Sequence, residues 1–353
     1  MNPKDLVRSR VRDLTAYHVE PRPCDAALDA NESPYPPPES VRARAVESAG
    51  ALPLNRYPDP QSKALREALA SKEGVREEEI LLGNGSDEII QMLIASVCDP
   101  GERIMTFAPT FSMYRLIAHY LNADTIEVPL KDDWSVDLGM ALNNIKAGVP
   151  KIIFIASPNN PTGSVVGREE IVAIADAAPG IVVVDEAYAD FAEERAGLVF
   201  RERENVVILR TLSKTGLAAI RLGYMMADRR LVEQVDKTRL PFNINSITQA
   251  IAAEAARRWD EMKPVFDLII RERGRVFSEV SVVDGVTPFP SEANFILMRI
   301  DDKDPREVFE SLLDNGVRAR WFKDDPRLGD CFRVTVGKPE ENDRFIAALR
   351  KAL

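Results

Sequence analysis

From about residue 61 onward, apolar and polar positions alternate between two rhythms. Gln61–Ser71, Ser86–Val97, Tyr114–Leu121 and Arg168–Ala177 place apolar residues at helical spacing. Between them lie short, β-branched-rich runs at Arg103–Phe107, Ile152–Ala156, Ile181–Val184 and Val206–Arg210. Two runs, Ile152-Ile153-Phe154-Ile155 and Ile181-Val182-Val183-Val184, are apolar at every position. A strand without alternation is buried on both faces, as in a parallel sheet covered by helices. The repeated β–α order predicts an α/β fold.

Both flanks of this region read differently. Ser33-Pro34-Tyr35-Pro36-Pro37-Pro38, followed by Pro53, Pro58 and Pro60, disfavours helix interiors and sheet centres and predicts an extended arm with turns. Beyond about residue 240, Ile247–Ser278 is helical in pattern with a break near Pro264. Strands are predicted at Val280–Val283, Asn294–Arg299 and Phe332–Val336. A helix opens with Asp304 as N-cap, Pro305 at N1 and Glu307 at N3, and a last helix opens at Pro339. The expected organisation is an arm over residues 1–40, a large domain over 41–245 with a mainly parallel sheet flanked by helices, and a smaller α+β domain over 246–353.

Length and composition narrow the class. A chain of 353 residues suits two domains, and 45% hydrophobic with 29% charged residues is the profile of a soluble protein with a full core. The net charge of -10 counts against nucleic acid as the main partner, since phosphate backbones recruit an excess of Lys and Arg. Three widely separated cysteines, Cys24, Cys98 and Cys331, form no CxxC pair and suit reduced thiols. Two histidines, His18 and His119, argue against a histidine-rich metal site or a Ser-His-Asp triad, and nothing points to a metal. No apolar signal core opens the chain and no run approaches membrane-spanning length, so a cytoplasmic protein without a membrane partner is expected.

Ligands of open α/β sheets bind beyond the carboxyl ends of the strands. Three polar segments fall there: Ser157-Pro158-Asn159-Asn160-Pro161-Thr162-Gly163, Asp185-Glu186-Ala187-Tyr188 and Thr211-Leu212-Ser213-Lys214. Each alone reads as a turn, a helix cap or a surface lysine. Together they bring an amide, an acid, a phenol and an amine to one crevice. Pyridoxal 5′-phosphate chemistry asks for that set: an amine to bind the aldehyde, an acid to hold the ring nitrogen protonated, donors to the ring oxygen, and a phosphate cradle. Gly83-Asn84-Gly85-Ser86-Asp87-Glu88 leads into the apolar helical run Ile89–Val97 and supplies a helix start for an anion; Arg221, seven residues after Lys214, adds charge.

The run from Arg210 to Tyr224, Arg-Thr-Leu-Ser-Lys-Thr-Gly-Leu-Ala-Ala-Ile-Arg-Leu-Gly-Tyr, resembles the lysine segment of fold-type I aminotransferases. More closely, the chain resembles the histidinol-phosphate aminotransferase family. The matching pieces include Asn31-Glu32-Ser33-Pro34-Tyr35, Asn55-Arg56-Tyr57-Pro58-Asp59, Ala108-Pro109-Thr110-Phe111, Ser157–Gly163, Val184–Tyr188, Ser291-Glu292-Ala293-Asn294-Phe295 and Phe332-Arg333-Val334-Thr335-Val336-Gly337. The resemblance implies a fold-type I transferase with pyridoxal 5′-phosphate as cofactor. It implies that Lys214 binds the cofactor and moves the substrate proton, that Asp185 pairs with the ring nitrogen, and that Tyr188 and Asn159 bond the ring oxygen. Phe111, where a tyrosine is common, stacks on the ring. Ser86, Asp87, Ser213 and Arg221 surround the phosphate. Tyr57 reaches the neighbouring subunit's cofactor, which implies a homodimer to which the N-terminal arm also contributes. Tyr17, Asn31, Arg320 and Arg333 face the substrate, two arginines suiting a phosphate ester that alternates with a dicarboxylate. The implied reaction moves the amino group of L-histidinol phosphate to 2-oxoglutarate, giving imidazole-acetol phosphate and L-glutamate in histidine biosynthesis.

Competing readings are an aromatic amino acid aminotransferase, or a related pyridoxal-phosphate decarboxylase acting on a phosphorylated amino acid. From other classes, Ile181–Glu186 has the form of a Walker B strand, but no GxxxxGK[ST] run exists to cradle a nucleotide. Gly83-Asn84-Gly85 lacks the third glycine of a dinucleotide fingerprint, since Glu88 stands there. A binding protein without catalysis has no need of Lys214 beside Asp185 and Tyr188.

Overall fold

A computed structural model describes residues 2–16, 23–193, 195 and 199–353. Its central feature is a seven-stranded sheet. The strands are β1 (Ile80–Asn84), β2 (Arg103–Ala108), β3 (Asp124–Pro129), β4 (Ile152–Ala156), β5 (Ile181–Asp185), β6 (Val206–Thr211) and β7 (Leu222–Met226). Their spatial order is β1-β7-β6-β5-β4-β2-β3. Only β7 runs against its neighbours; the pairs from β6 through β3 are parallel.

The uninterrupted apolar runs behave as burial on two faces requires. Along β4, Ile152 and Phe154 join one core while Ile153 and Ile155 join the other. The first core is completed by helices α3 (Gly85–Val97) and α4 (Met113–Tyr120), through Ile89, Leu93, Tyr114 and Ile117. The second is covered by α2 (Lys63–Glu73), by α5 (Ser246–Arg257) and by the helix Arg168–Ala177, with Leu65, Leu69, Ile171, Ile174 and Ala252 inside.

The proline-rich segment is not extended throughout. Helix α1 occupies Glu39–Gly50, in the proline-free stretch between Pro38 and Pro53. Pro38 stands at its N-cap, where a missing N–H costs nothing. The helical region after residue 246 divides at Arg258 rather than at Pro264, which is accommodated inside α6 (Trp259–Val280). That helix runs through Val280, so the strand expected at Val280–Val283 does not form; the strand falls later, at Val286–Pro288.

The C-terminal unit holds a four-stranded antiparallel sheet, β10-β11-β9-β8, from β8 (Val286–Pro288), β9 (Phe295–Ile300), β10 (Arg320–Trp321) and β11 (Cys331–Thr335). Helices α7 (Pro305–Asp314) and α8 (Pro339–Ala352) cover it, and Asp304 caps α7 by accepting from the Arg306 N–H at 2.8 Å. Alternation along β9 sets the relation between the two units. Ile296, Met298 and Ile300 face this unit's own core, while Phe295 and Leu297 join the core under the large sheet. The arm adds Ala26–Ala27 as a short parallel strand beside Val317–Arg318. Because α5 packs with α2 under the large sheet, we propose that the passage between the units lies within α6 rather than near residue 245. No helix among the described residues is long and apolar enough to cross a membrane.

Candidate active site

The polar segments singled out in the sequence follow β4, β5 and β6, which are adjacent and parallel, so they meet at one sheet edge. Asp185 is the last residue of β5, in register with Ala156 on one side and Leu209 on the other. It is 4% exposed. Its Oδ2 accepts from the Tyr114 hydroxyl at 2.6 Å and its Oδ1 from the Ala187 N–H at 3.1 Å. Burial pushes this carboxyl up from 3.8 to about 6, against the opposing pull of those two hydrogen bonds. A buried acid so placed gains from a cationic partner.

Tyr114 is the functional side chain the sequence reading passed over. It lies on α4, wholly buried, with its ring stacked on Phe154 at 4.6 Å. Its own ionisation is pushed well up, first by burial and then by the Asp185 charge, so it remains a donor. Phe111 packs edge-on against it, ring centroids 5.6 Å apart. Tyr114 sits on an ordinary apolar helix face, and only its position opposite Asp185, 71 residues away, gives it a role.

Lys214 follows β6 and points its Nζ toward the Ala30 carbonyl at 3.4 Å and the Tyr188 ring at 5.8 Å from the centroid. Tyr188 is 5% exposed, and its hydroxyl accepts from Asn31 Nδ2 at 2.9 Å. Asn31, which the resemblance turns toward the substrate, is itself buried and directs its side chain to Tyr188 and Thr335. Asn159 is also buried. Its Oδ1 accepts from the Thr110 hydroxyl at 2.6 Å, and its amide hydrogens go to the Pro109 carbonyl and Thr162 Oγ1, each at 2.9 Å. Asn159 therefore ties together the loops after β2 and β4.

The cradle expected around Ser86 is formed by two turns. Gly85 opens α3, whose first turn has no side-chain cap, leaving N–H groups at Ser86 and Asp87 for an anion. Arg221 immediately precedes the antiparallel strand β7, and its carbonyl accepts from Gly85 N–H at 2.7 Å. Its guanidinium reaches Asp87 Oδ2 at 3.2 Å and Ser213 Oγ at 3.5 Å. Two glycines are required here. A Cβ on Gly85, which has φ +73°, would meet the Arg221 guanidinium at 2.6 Å, and one on Gly223 would meet the Ser86 nitrogen at 2.4 Å.

The remaining expected residues stand around this centre. Arg333 on β11 bonds the Asn160 side chain and, at 2.6 Å, the Asp29 carbonyl. Arg320 on β10 is its directly opposite cross-strand partner, so both side chains leave the same face of the small sheet. Tyr57 is 81% exposed and stacks on Phe242 at 4.6 Å. Tyr17 lies outside the described residues.

Comparison with known proteins identifies the family. The model of the family "aminotransferase class I and II" matches residues 26–349. The chain is 39% identical to histidinol-phosphate aminotransferase 2 of Nitrosococcus oceani over 98% of this chain and 96% of that protein. It is 37% identical to histidinol-phosphate aminotransferase of Thermoanaerobacter pseudethanolicus over 99% of each. Among solved structures, histidinol-phosphate aminotransferase from Sinorhizobium meliloti in complex with pyridoxal-5′-phosphate superposes with a TM-score of 0.89 at 28% identity, covering 98% of this chain and 97% of that one. The residues here fit that cofactor: an amine at Lys214, a buried acid seeking a cation at Asp185, and a glycine-lined cradle backed by Arg221. In sequence, fold and donor set alike, the chain belongs to the class I and II aminotransferases, with pyridoxal 5′-phosphate as its cofactor.

Proposed function

We propose that this protein is a homodimeric, cytoplasmic histidinol-phosphate aminotransferase, moving the amino group of L-histidinol phosphate to 2-oxoglutarate in histidine biosynthesis. Full-length relatives bearing that name support the amino donor. The observation that carries the substrate class is the Arg320–Arg333 pair. Like charges directly opposite in an antiparallel ladder repel each other, and an anion between them turns the repulsion into attraction. A phosphate ester in one half of the reaction and a dicarboxylate in the other both satisfy two guanidinium groups.

Pyridoxal phosphate supplies an aldehyde that captures amines and a ring that accepts an electron pair. Lys214 provides the amine that anchors the cofactor and then the base that removes and returns the proton at the substrate carbon. Asp185 holds the charge of the ring nitrogen. The α3 N–H groups of Ser86 and Asp87, with Ser213 and Arg221, hold the phosphate. Phe111 packs on the ring, and Tyr188 donates to the ring oxygen. Tyr57, 81% exposed and stacked on Phe242, offers an apolar surface to a second copy and reaches the cofactor of that neighbour.

The test is an absorbance titration of the cofactor-loaded protein with L-histidinol phosphate alone. Conversion of the bound cofactor to its amine form, reversed by 2-oxoglutarate, is the expected result. A cofactor spectrum that ignores histidinol phosphate but responds to aromatic amino acids would overturn the substrate and keep the class.

A further inference from the structure

A chain of hydrogen bonds around Tyr188 has its direction set by a single backbone group. The Asn31 N–H can only donate, and it lies 2.9 Å from Thr335 Oγ1. That oxygen therefore accepts from Asn31, and its own proton goes to another acceptor. Asn31 Oδ1, 3.2 Å away, is that acceptor. With Oδ1 fixed on Thr335, the amide nitrogen is the atom facing Tyr188, 2.9 Å from the phenol oxygen. An amide NH₂ donates and does not accept. The phenol oxygen is thus the acceptor in this bond, and its own proton is directed away from Asn31. Among the described residues, Asn31 is the one hydrogen-bond partner of that hydroxyl.

We infer that Asn31 and Thr335 set the direction of the Tyr188 proton, and that Asn31 is a positioning residue which keeps Tyr188 a donor toward the cofactor ring. This rests on the proposed placement of Tyr188 at the ring oxygen. The surroundings hold the chain rigid. Asn31 and Thr335 are 1% and 3% exposed, and the Asn31 carbonyl accepts from Asn294 Nδ2 at 3.1 Å. Asn31 takes φ +55°, a conformation Asn and Asp adopt far more readily than other side chains. The chain also spans three parts of the molecule, since Asn31 belongs to the arm, Tyr188 to the turn that follows β5 of the large sheet, and Thr335 to β11 of the small sheet. The proton direction is therefore set only when all three are docked.

The duty is chemical as well as geometric. A donor to the ring oxygen stabilises its anionic form and loosens its hold on a neighbouring proton, which lowers the pH at which the bound cofactor titrates. Asn31→Asp reverses the arrangement, because a carboxylate takes the Tyr188 proton. It suits the same backbone conformation. Thr335→Val removes the anchor that orients the amide and adds no charge.

The experiment is a pH titration of the absorbance of protein loaded with pyridoxal phosphate, for both variants, in the native and the Tyr188→Phe background. Tyr188→Phe is expected to raise the midpoint. Asn31→Asp is expected to raise it by about one unit, close to the Tyr188→Phe level, the loss of one charge-assisted hydrogen bond. Thr335→Val should move it the same way by less, and neither change should add to Tyr188→Phe. Equal shifts in the Tyr188→Phe background would overturn the inference, because the variants would then act without the phenol. So would unmoved midpoints in both variants where Tyr188→Phe shifts. If Tyr188→Phe itself leaves the midpoint in place, the assignment of Tyr188 to the ring fails, and the inference falls with it.

Discussion

The Tyr114 hydroxyl lies 2.6 Å from Asp185 Oδ2, and the ring that carries it is stacked on Phe154. The stack fixes the hydroxyl where no solvent reaches. The bond favours the carboxylate against the burial that disfavours it. Tyr114→Phe keeps the stack and removes only the donor. Cofactor affinity should fall about tenfold, as expected for one hydrogen bond to a charged group. Reconstitution of the cofactor-free protein with graded pyridoxal phosphate measures it, and unchanged affinity would show that Asp185 does not need Tyr114.

Asp185 also links stability to pH in the cofactor-free protein. Its folded value of about 6 exceeds the ordinary 3.8. Between those values the folded chain holds a proton that the unfolded chain has released, so stability falls as pH rises through the window, by about 3 kcal/mol for a shift near two units. Asp185→Asn lacks this loss. Urea unfolding of both cofactor-free proteins at pH 4 and pH 7 should show the variant gaining on the parent by about 2 kcal/mol at the higher pH, since the unfolded carboxyl is already partly ionised at pH 4. An equal difference at both pH values would contradict it.

On the far side of the sheet, Arg210 is held between two buried carboxylates, Glu73 at 2.7 Å and Glu186 at 2.6 Å, and Lys72 and Tyr224 also bond Glu73. Burial opposes the Glu73 charge, but Arg210 and Lys72 outweigh it and bring its pKa to about 2. Its contribution is therefore complete above the ordinary carboxylate range and lost as pH falls toward 2. Arg210→Met removes the cation shared by two buried carboxylates and should cost about 3–5 kcal/mol in urea unfolding. Adding Glu73→Gln should return part of that loss.

A paired-defect experiment tests whether Tyr57 serves a neighbouring site. If the protein is the proposed dimer, the Tyr57→Ala and Lys214→Ala proteins should each be strongly impaired. Subunits exchanged between the two should regain activity, because each mixed dimer contains one site with an intact lysine and an intact tyrosine. No recovery on mixing would place Tyr57 in its own subunit's site or outside catalysis.

Sequence patterns revealed what local chemistry dictates. Ile152–Ala156 and Ile181–Val184 announced two-sided burial because every position is apolar, and Asp304-Pro305 announced a helix start through its cap. Strand β3 gave no such signal: Asp124-Thr125-Ile126-Glu127 belongs to an edge strand and is mostly exposed or half-buried. Helix α1 was hidden by the prolines on either side of it. Lys214, Asp185 and Arg221 were legible because each sits beside a strand end in a recognisable run. Tyr114 and Thr335 were not, because their meaning comes from partners 71 and 304 residues away. Asn159 shows the intermediate case, its place at the strand end readable and its hydrogen-bond commitments not.

The reversed strand β7 has a consequence for the order in which the protein is made. Gly85 and Arg221 meet only because β7 begins, rather than ends, at the ligand edge and inserts between β1 and β6. During synthesis, the helix start at Gly85 leaves the ribosome long before the arginine that completes the cup. A nascent chain that stops short of Met226 has the first turn of α3 but no paired β7 to bring Arg221 to it, so it cannot close the phosphate cup. With Arg221 at the cofactor phosphate as proposed, cofactor capture would follow the insertion of β7 between β1 and β6, so a loaded protein would be one whose largest sheet has been assembled.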